Sequence, residues 1–204
     1  MRRVKIKKLP GESRRTEFGQ PGMEVHETLF PVPREDANIE AEKNERVVTD
    51  LEGDGIPENY RVGGKRHNAG GTPLLVPENS FVFSDTRSLL IKDKDILREF
   101  DMPVPKKGRS KSYTPAQIAK KYDLNKYKKM LRDPMSDPMQ IETAEKMISN
   151  FTIKLGKLAL VQESMKGFPD GIPAIAMPYL QLNNINPEDI VAQEEGQEGP
   201  PQEG

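Results

Sequence analysis

The sequence predicts an α+β fold with an extended N-terminal arm, a small β module, short helices, one long helix and an extended or disordered C-terminal tail. Three observations predict it. Between Tyr60 and Lys92, short β-compatible runs alternate with turn residues. From Thr114 to Gly167, cap residues, two of them followed by proline, open helix after helix. Residues 1–58 and the end of the chain show no sustained period of either kind.

The arm, residues 1–58, contains Pro10-Gly11, Pro21-Gly22 and Pro31-Val32-Pro33, and is expected to be ordered only where it lies on something else. The β module, residues 59–100, rests on Tyr60-Arg61-Val62, Pro73 to Val76, Ser80 to Phe83 and Leu89-Leu90-Ile91, with a short helix from about Lys94 to Phe100. A sheet this small needs a helix or another chain against it. Residues 101–112 read as a basic linker with Pro103, Pro105 and Gly108.

The helical segment spans 113–167. Thr114-Pro115-Ala116-Gln117 combines a cap acceptor, a proline in the first turn and a glutamine that can return a bond to the cap. Asp123 is placed to cap a second helix through Met130, and Asp137-Pro138-Met139-Gln140 repeats the capping box before a long helix, 138–166, that stops at Gly167. At 1.5 Å rise, its ~29 residues would span roughly 43 Å. Ala144, Ile148, Phe151, Leu155, Leu158 and Met165 follow steps of four and three, with Gln162 at the skipped position. Gln162 either fixes register in the seam or marks where the stripe rotates towards Leu160 and Val161. Ile148, Phe151, Leu155, Leu158 and Met165 are the candidate partner-binding face, expected to be buried by other chains or by the flanking segments. Residues 168–192 read as an extended strip with Ile172, Ile175, Met177, Tyr179 and Leu180 as apolar anchors, because Pro169, Pro173 and Pro178 oppose helix. Residues 193–204, rich in Gln, Glu, Gly and Pro, read as a disordered acidic tail or a linker into further chain.

Composition bounds the function. In 204 residues, hydrophobic side chains make up 34% and charged ones 31%, with 18 prolines, 16 glycines and no tryptophan, so core-forming material is scarce. The absence of cysteine excludes disulfides, thiolate metal sites and a cysteine nucleophile. No run of ~18 apolar residues offers a membrane span, and the basic start Met1 to Lys8 lacks the apolar segment of a signal peptide, so the chain is expected to work without Sec export and away from membranes. A net charge of −1 conceals segregated blocks: basic to Arg15, acidic from Glu17 to Glu58, basic from Lys106 to Arg132, acidic after Pro187.

Asp50-Leu51-Glu52-Gly53-Asp54-Gly55-Ile56 resembles the first half of an EF-hand calcium loop. The position of the closing glutamate is Arg61, so an acidic turn into the β module is favoured over calcium. Gly63-Gly64-Lys65-Arg66-His67 to Gly71 lacks the residue order of a P-loop and reads as a glycine-framed turn. His26 and His67 stand far apart, which disfavours zinc. No nucleophile, base and orienting group stand out together, so no catalytic residue, metal ligand, cofactor or small-molecule substrate is assigned. Lys106, Lys107, Arg109, Lys111, Lys120, Lys121, Lys128 and Lys129 are candidate contacts to phosphate or to an acidic surface, with Tyr113, Tyr122 and Tyr127 interleaved for stacking.

Two stretches carry a resemblance: Gly64 to Pro73 running into Ser80-Phe81-Val82-Phe83-Ser84-Asp85, and Lys121 to Tyr127 running into the long helix and Gly167-Phe168-Pro169-Asp170-Gly171-Ile172-Pro173. Together, over about residues 60–175, they resemble virion proteins of crAss-like and related tailed bacteriophages of Bacteroidetes. The resemblance implies a structural role, including that of a cargo protein packaged in the capsid and passed through portal and tail on genome ejection, and it implies no catalytic residue. The expectation is therefore a non-enzymatic virion component that meets other virion proteins, portal or tail components or copies of itself, in the capsid interior or portal-tail region after assembly from the host cytoplasm. The alternative expectation is a nucleic-acid-binding protein acting through residues 106–132, with double-stranded DNA as a non-specific partner.

Overall fold

The computed structural model describes residues 28–29, 31–64, 70–104 and 111–190. The fold is α+β, with two small sheets, a set of short helices and one long helix. The strands are β1 (Thr28–Leu29), β2 (Ile39–Ala41), β3 (Arg46–Thr49), β4 (Glu58–Val62), β5 (Thr72–Leu74) and β6 (Phe81–Phe83). One sheet has the order β1-β4-β3-β6, with β1 parallel to β4 and the other pairs antiparallel, and β2 and β5 form a separate antiparallel ribbon.

Side chains alternate across a strand, and β3 uses both faces of the larger sheet. Val47 packs with Leu29, Tyr60, Val62 and Leu74 against the ribbon, whereas Val48 packs with Phe83, Leu155 and Leu158 towards the helices. The described part of the arm therefore belongs to the β module, a correction to the boundary at residue 58. Its strands are only two to four residues long and lack a clean polar alternation, so their periodicity is too short to register. Residues 1–27, with His26, lie outside the described residues, as do 105–110 of the expected linker and the whole of the expected tail at 193–204. Leu89-Leu90-Ile91 also differs from expectation: Arg87–Leu89 is a 3-10 turn, and Ile91 alone makes a β-bridge, to Tyr113.

The helices are α1 (Lys94–Glu99), α2 (Pro115–Ala119), α3 (Leu124–Arg132), α4 (Pro138–Ser164) and α5 (Met177–Leu182). Local chemistry fixes their starts. Asp137 Oδ1 accepts from Gln140 N at 2.8 Å while Gln140 Oε1 accepts from Asp137 N at 2.9 Å, and Thr114 with Gln117 forms the same reciprocal box. Asp123 accepts from Lys126 N at 3.2 Å to start α3. Beyond α4, Gly167 takes φ +76°, the left-handed geometry that lets Phe168 N reach back to Glu163 O at 3.0 Å.

The strip after Gly167 is not extended throughout. A 3-10 turn at Ala174–Ala176 leads into α5, because Pro178 falls in the first helical turn, where its missing N–H has no helical partner to lose. Ala176 and Leu180 are fully buried against α4, while Met177 stays partly exposed. The approach is close at Gly156, where a Cβ would lie 2.6 Å from the Ile175 carbonyl oxygen.

These contacts decide where the apolar stripe of α4 goes. Leu155 and Leu158 are fully buried and Ile148 nearly so, in a core shared with Phe83, Leu97, Ile118, Tyr122 and Leu124 of the same chain. Phe151 meets Tyr122 and Tyr127 edge to face, with centroids 5.3 and 5.5 Å apart. The covering comes from the flanking segments, so these side chains are not a free docking face. Met165 is 42% exposed beyond the helix end.

Candidate functional site

Two concentrations of charge flank the segment from α2 to α3, and they are built in opposite ways. The first is the loop 50–57 between β3 and β4. Asp50 closes it by accepting from Gly53 N at 2.8 Å, Asp54 N at 3.2 Å and Gly55 N at 2.7 Å, and Asp54 Oδ1 accepts from Ile56 N at 3.0 Å. This curls the acidic side chains around a common centre, which Lys128 of α3 fills. Its Nζ donates to Asp54 Oδ1 at 2.8 Å, Ile56 O at 2.8 Å and Glu58 Oε1 at 2.6 Å, with Glu52 Oε2 at 3.3 Å and Asp50 Oδ1 at 3.9 Å.

Counted from Asp50, those oxygens come from positions 1, 3, 5, 7 and 9, with the backbone carbonyl at position 7, the order an EF-hand loop presents to calcium. The resemblance of the first half therefore extends further in space than in sequence, and the centre holds an ammonium group of the chain itself. Lys128 is 3% exposed, and its three N–H donors have three close acceptors. One turn on, Arg132 pairs with Glu52 and Asp54. Among the described residues, no group of His, Asp or Glu is disposed to hold a metal ion.

The electrostatics follow from this packing. Burial pushes Asp54 up, but hydrogen bonds from Lys128, Ile56 N and Arg132 outweigh it and hold the carboxyl at about 2. Burial raises Glu58 above the usual glutamate value despite Lys128. Lys128 itself is lowered by burial, and then raised past its ordinary value by Asp54 and Glu58.

The second concentration is an open groove of about 340 Å³ on the helix-facing side of the larger sheet, lined by Asn44, Arg46, Arg61, Asp85, Ala116, Gln117 and Lys120. Arg46 of β3 and Arg61 of β4 are direct register partners in the antiparallel pair. Arg46 Nε donates to Asn59 Oδ1 at 3.0 Å, and Asn59 is itself held by donating to Ala119 O at 2.8 Å and Tyr122 O at 3.0 Å. Arg61 Nη2 donates to Asn44 Oδ1 at 2.7 Å. Burial pushes the Arg46 guanidinium down to about 10, with Asp123 opposing that shift and Arg61 adding to it.

The candidate basic contacts are thus scattered. Lys128 is corrected, being enclosed by carboxylates and closed to a phosphate. Lys121 Nζ donates to the carbonyls of Phe100 at 3.2 Å and Asp101 at 2.8 Å, Lys111 and Lys120 are exposed, and Lys129 lies beside the acidic cluster. Lys106, Lys107 and Arg109, like His67, lie outside the described residues. The tyrosines are structural: Tyr122 is buried with its hydroxyl on Phe100 O at 3.1 Å, Tyr127 meets Phe151 edge to face, and the Tyr113 hydroxyl donates to Pro103 O at 3.2 Å.

Gln162 takes neither of its two expected roles. It is fully buried, its Oε1 accepts from Ser84 N at 2.9 Å, and its Nε2 donates to Val82 O at 3.0 Å, so a helix side chain completes the outer edge of β6. Sequence reading missed Arg46, Arg61 and Asn59 as site residues, since only strand register brings them together. No family model, curated protein or solved structure matches the chain.

Proposed function

We propose that the chain is a non-enzymatic virion component of the tailed-phage class its sequence resembles, a capsid cargo or portal-associated protein that docks on other virion proteins through the exposed end of the α3–α4 hairpin. The observation that carries the docking is the division of α4. Its C-terminal half is buried along the apolar stripe by the chain's own elements, whereas Met135 just before the helix and Met139 in its first turn are 86% and 76% exposed, with Ile141 also at the surface. Exposed methionines offer an adaptable apolar contact, which suits a surface covered on assembly. At 27 residues, α4 is about 40 Å long, and residues 138–143 at its start are all exposed. The strongest ionic cluster is closed on itself, which fits a scaffold better than a reaction centre.

Mass spectrometry of purified particles before and after DNA ejection tests residence in the virion and release from it. The chain is expected in intact particles, and its absence overturns the reading. Replacing Met135 and Met139 by glutamine is expected to reduce incorporation without lowering the melting temperature; full incorporation of that variant removes the hairpin end as the docking surface.

A further inference from the structure

The groove between β3, β4 and α2 has a feature that folding alone does not require. Like charges directly opposite in an antiparallel pair repel, yet Arg46 and Arg61 stand in register there, and Lys120 at the end of α2 adds a third cation. Among the described residues, no carboxylate forms an ion pair with any of the three. The hydrogen bond to Asn59 uses only the Nε of Arg46, and the bond to Asn44 uses only one Nη of Arg61. Asn59 is anchored on two buried carbonyls, so the Arg46 guanidinium is held in place before any ligand arrives. The one carboxylate in the lining, Asp85, accepts from Thr114 Oγ1 at 2.8 Å at the start of α2.

Arg46 is partly buried and held in place, and Arg61 and Lys120 are exposed beside it. A cluster of cations with unused N–H donors and no close carboxylate partner among the described residues is what an incoming anion relieves. Guanidinium groups take carboxylates through two parallel N–H bonds, and the amides of Asn44 and Gln117 add donors for a peptide backbone. The surroundings limit the class of anion. Three cations beside Asp85, with Asp123 acting on Arg46 from the start of α3, make too narrow a basic field to track a nucleic-acid backbone, but they match two or three carboxylates. The groove is also open, so a chain can run through it.

We propose that the groove of Arg46, Arg61 and Lys120 binds an acidic peptide segment of a partner, the two arginines gripping its side-chain carboxylates and Lys120 flanking them. This site is separate from the hairpin end and holds whether or not that end docks.

The test is titration of the full chain with a labelled decaglutamate peptide, followed by anisotropy at low and physiological salt, with decaglutamine as control. Decaglutamate is expected to bind, weakening as salt rises, and decaglutamine is not. Arg61→Gln and Lys120→Gln, both surface changes, are each expected to weaken binding about tenfold without lowering the melting temperature, and Arg46→Lys to weaken it while the chain stays folded. Binding indifferent to Arg61→Gln and Lys120→Gln overturns the proposal, as does no binding at low salt. Two further arms separate other ligands: a site that takes inorganic phosphate but not decaglutamate, or one that prefers a double-stranded oligonucleotide through the same side chains, also overturns it.

Discussion

Lys128 and Arg46 are both cations set against the β3–β4 pair, and their surroundings differ. Lys128 meets a carbonyl and four carboxylates and leaves no donor unused, whereas Arg46 meets one asparagine and faces another arginine. The difference separates charge that builds a fold from charge that waits for something else. A buried ion pair that is broken leaves an uncompensated charge and destabilises strongly, while an exposed cation without a close carboxylate, such as Arg61 beside Arg46, can be removed at little cost.

The largest expected effect breaks the closed cluster. Lys128→Met leaves the buried Glu58 without its counter-ion, since Arg132 pairs with Glu52 and Asp54 instead, and is expected to lose about 3–5 kcal/mol in chemical denaturation; a loss below about 1 kcal/mol would mean that the loop does not depend on the lysine. Gln162→Ala leaves Ser84 N and Val82 O unpaired at the edge of β6, with an expected loss of about 1–3 kcal/mol in the same measurement.

Acid sharpens the contrast next. Asp54 has a folded value depressed to about 2 from 3.8, so its contribution is complete at neutral pH, starts to fade as pH drops below its unfolded value and is lost as pH falls through about 2. Glu52 is also lowered, Arg132 and Lys128 outweighing the upward push of burial, and it acts in the same direction. Glu58 is raised, so it costs stability at neutral pH and returns some as pH falls through its folded value. The expected profile, measured by melting temperature, is nearly level or slightly rising down to about pH 4 and then falls steeply, and Asp54→Asn should flatten the fall. The smallest effect belongs to the groove: Arg61→Gln should shift stability by no more than about 0.5 kcal/mol, and relief of its repulsion with Arg46 makes a gain the expected sign. A loss comparable to that of Lys128→Met would show that the groove charges are structural after all.

Features written within a few neighbouring residues were legible in the sequence. Thr114 with Gln117, Asp123, and Asp137 with Gln140 each form the bonds their spacing implies, and three of the four β-compatible runs are strands. What depends on distant partners was not. Lys128 sits among basic neighbours in the chain, and its acceptors lie 70 to 74 residues away, so nothing local marks it as enclosed. The arginine pair exists only through register, and β2 and β3 are too short to carry a period. Pro178 misled in the other direction: a proline that ends one helix can open the next, and the buried Leu180 that favours α5 shows its use only against α4.

The contact of Gln162 with β6 has a consequence for how the protein behaves in a crowd. β6 is the outermost strand of its sheet, and an outermost strand with idle N–H and C=O groups is a template on which a second molecule can add its own strand and start a growing aggregate. The amide of Gln162 occupies one donor and one acceptor of that template from within, so the sheet ends where the long helix begins to cover it.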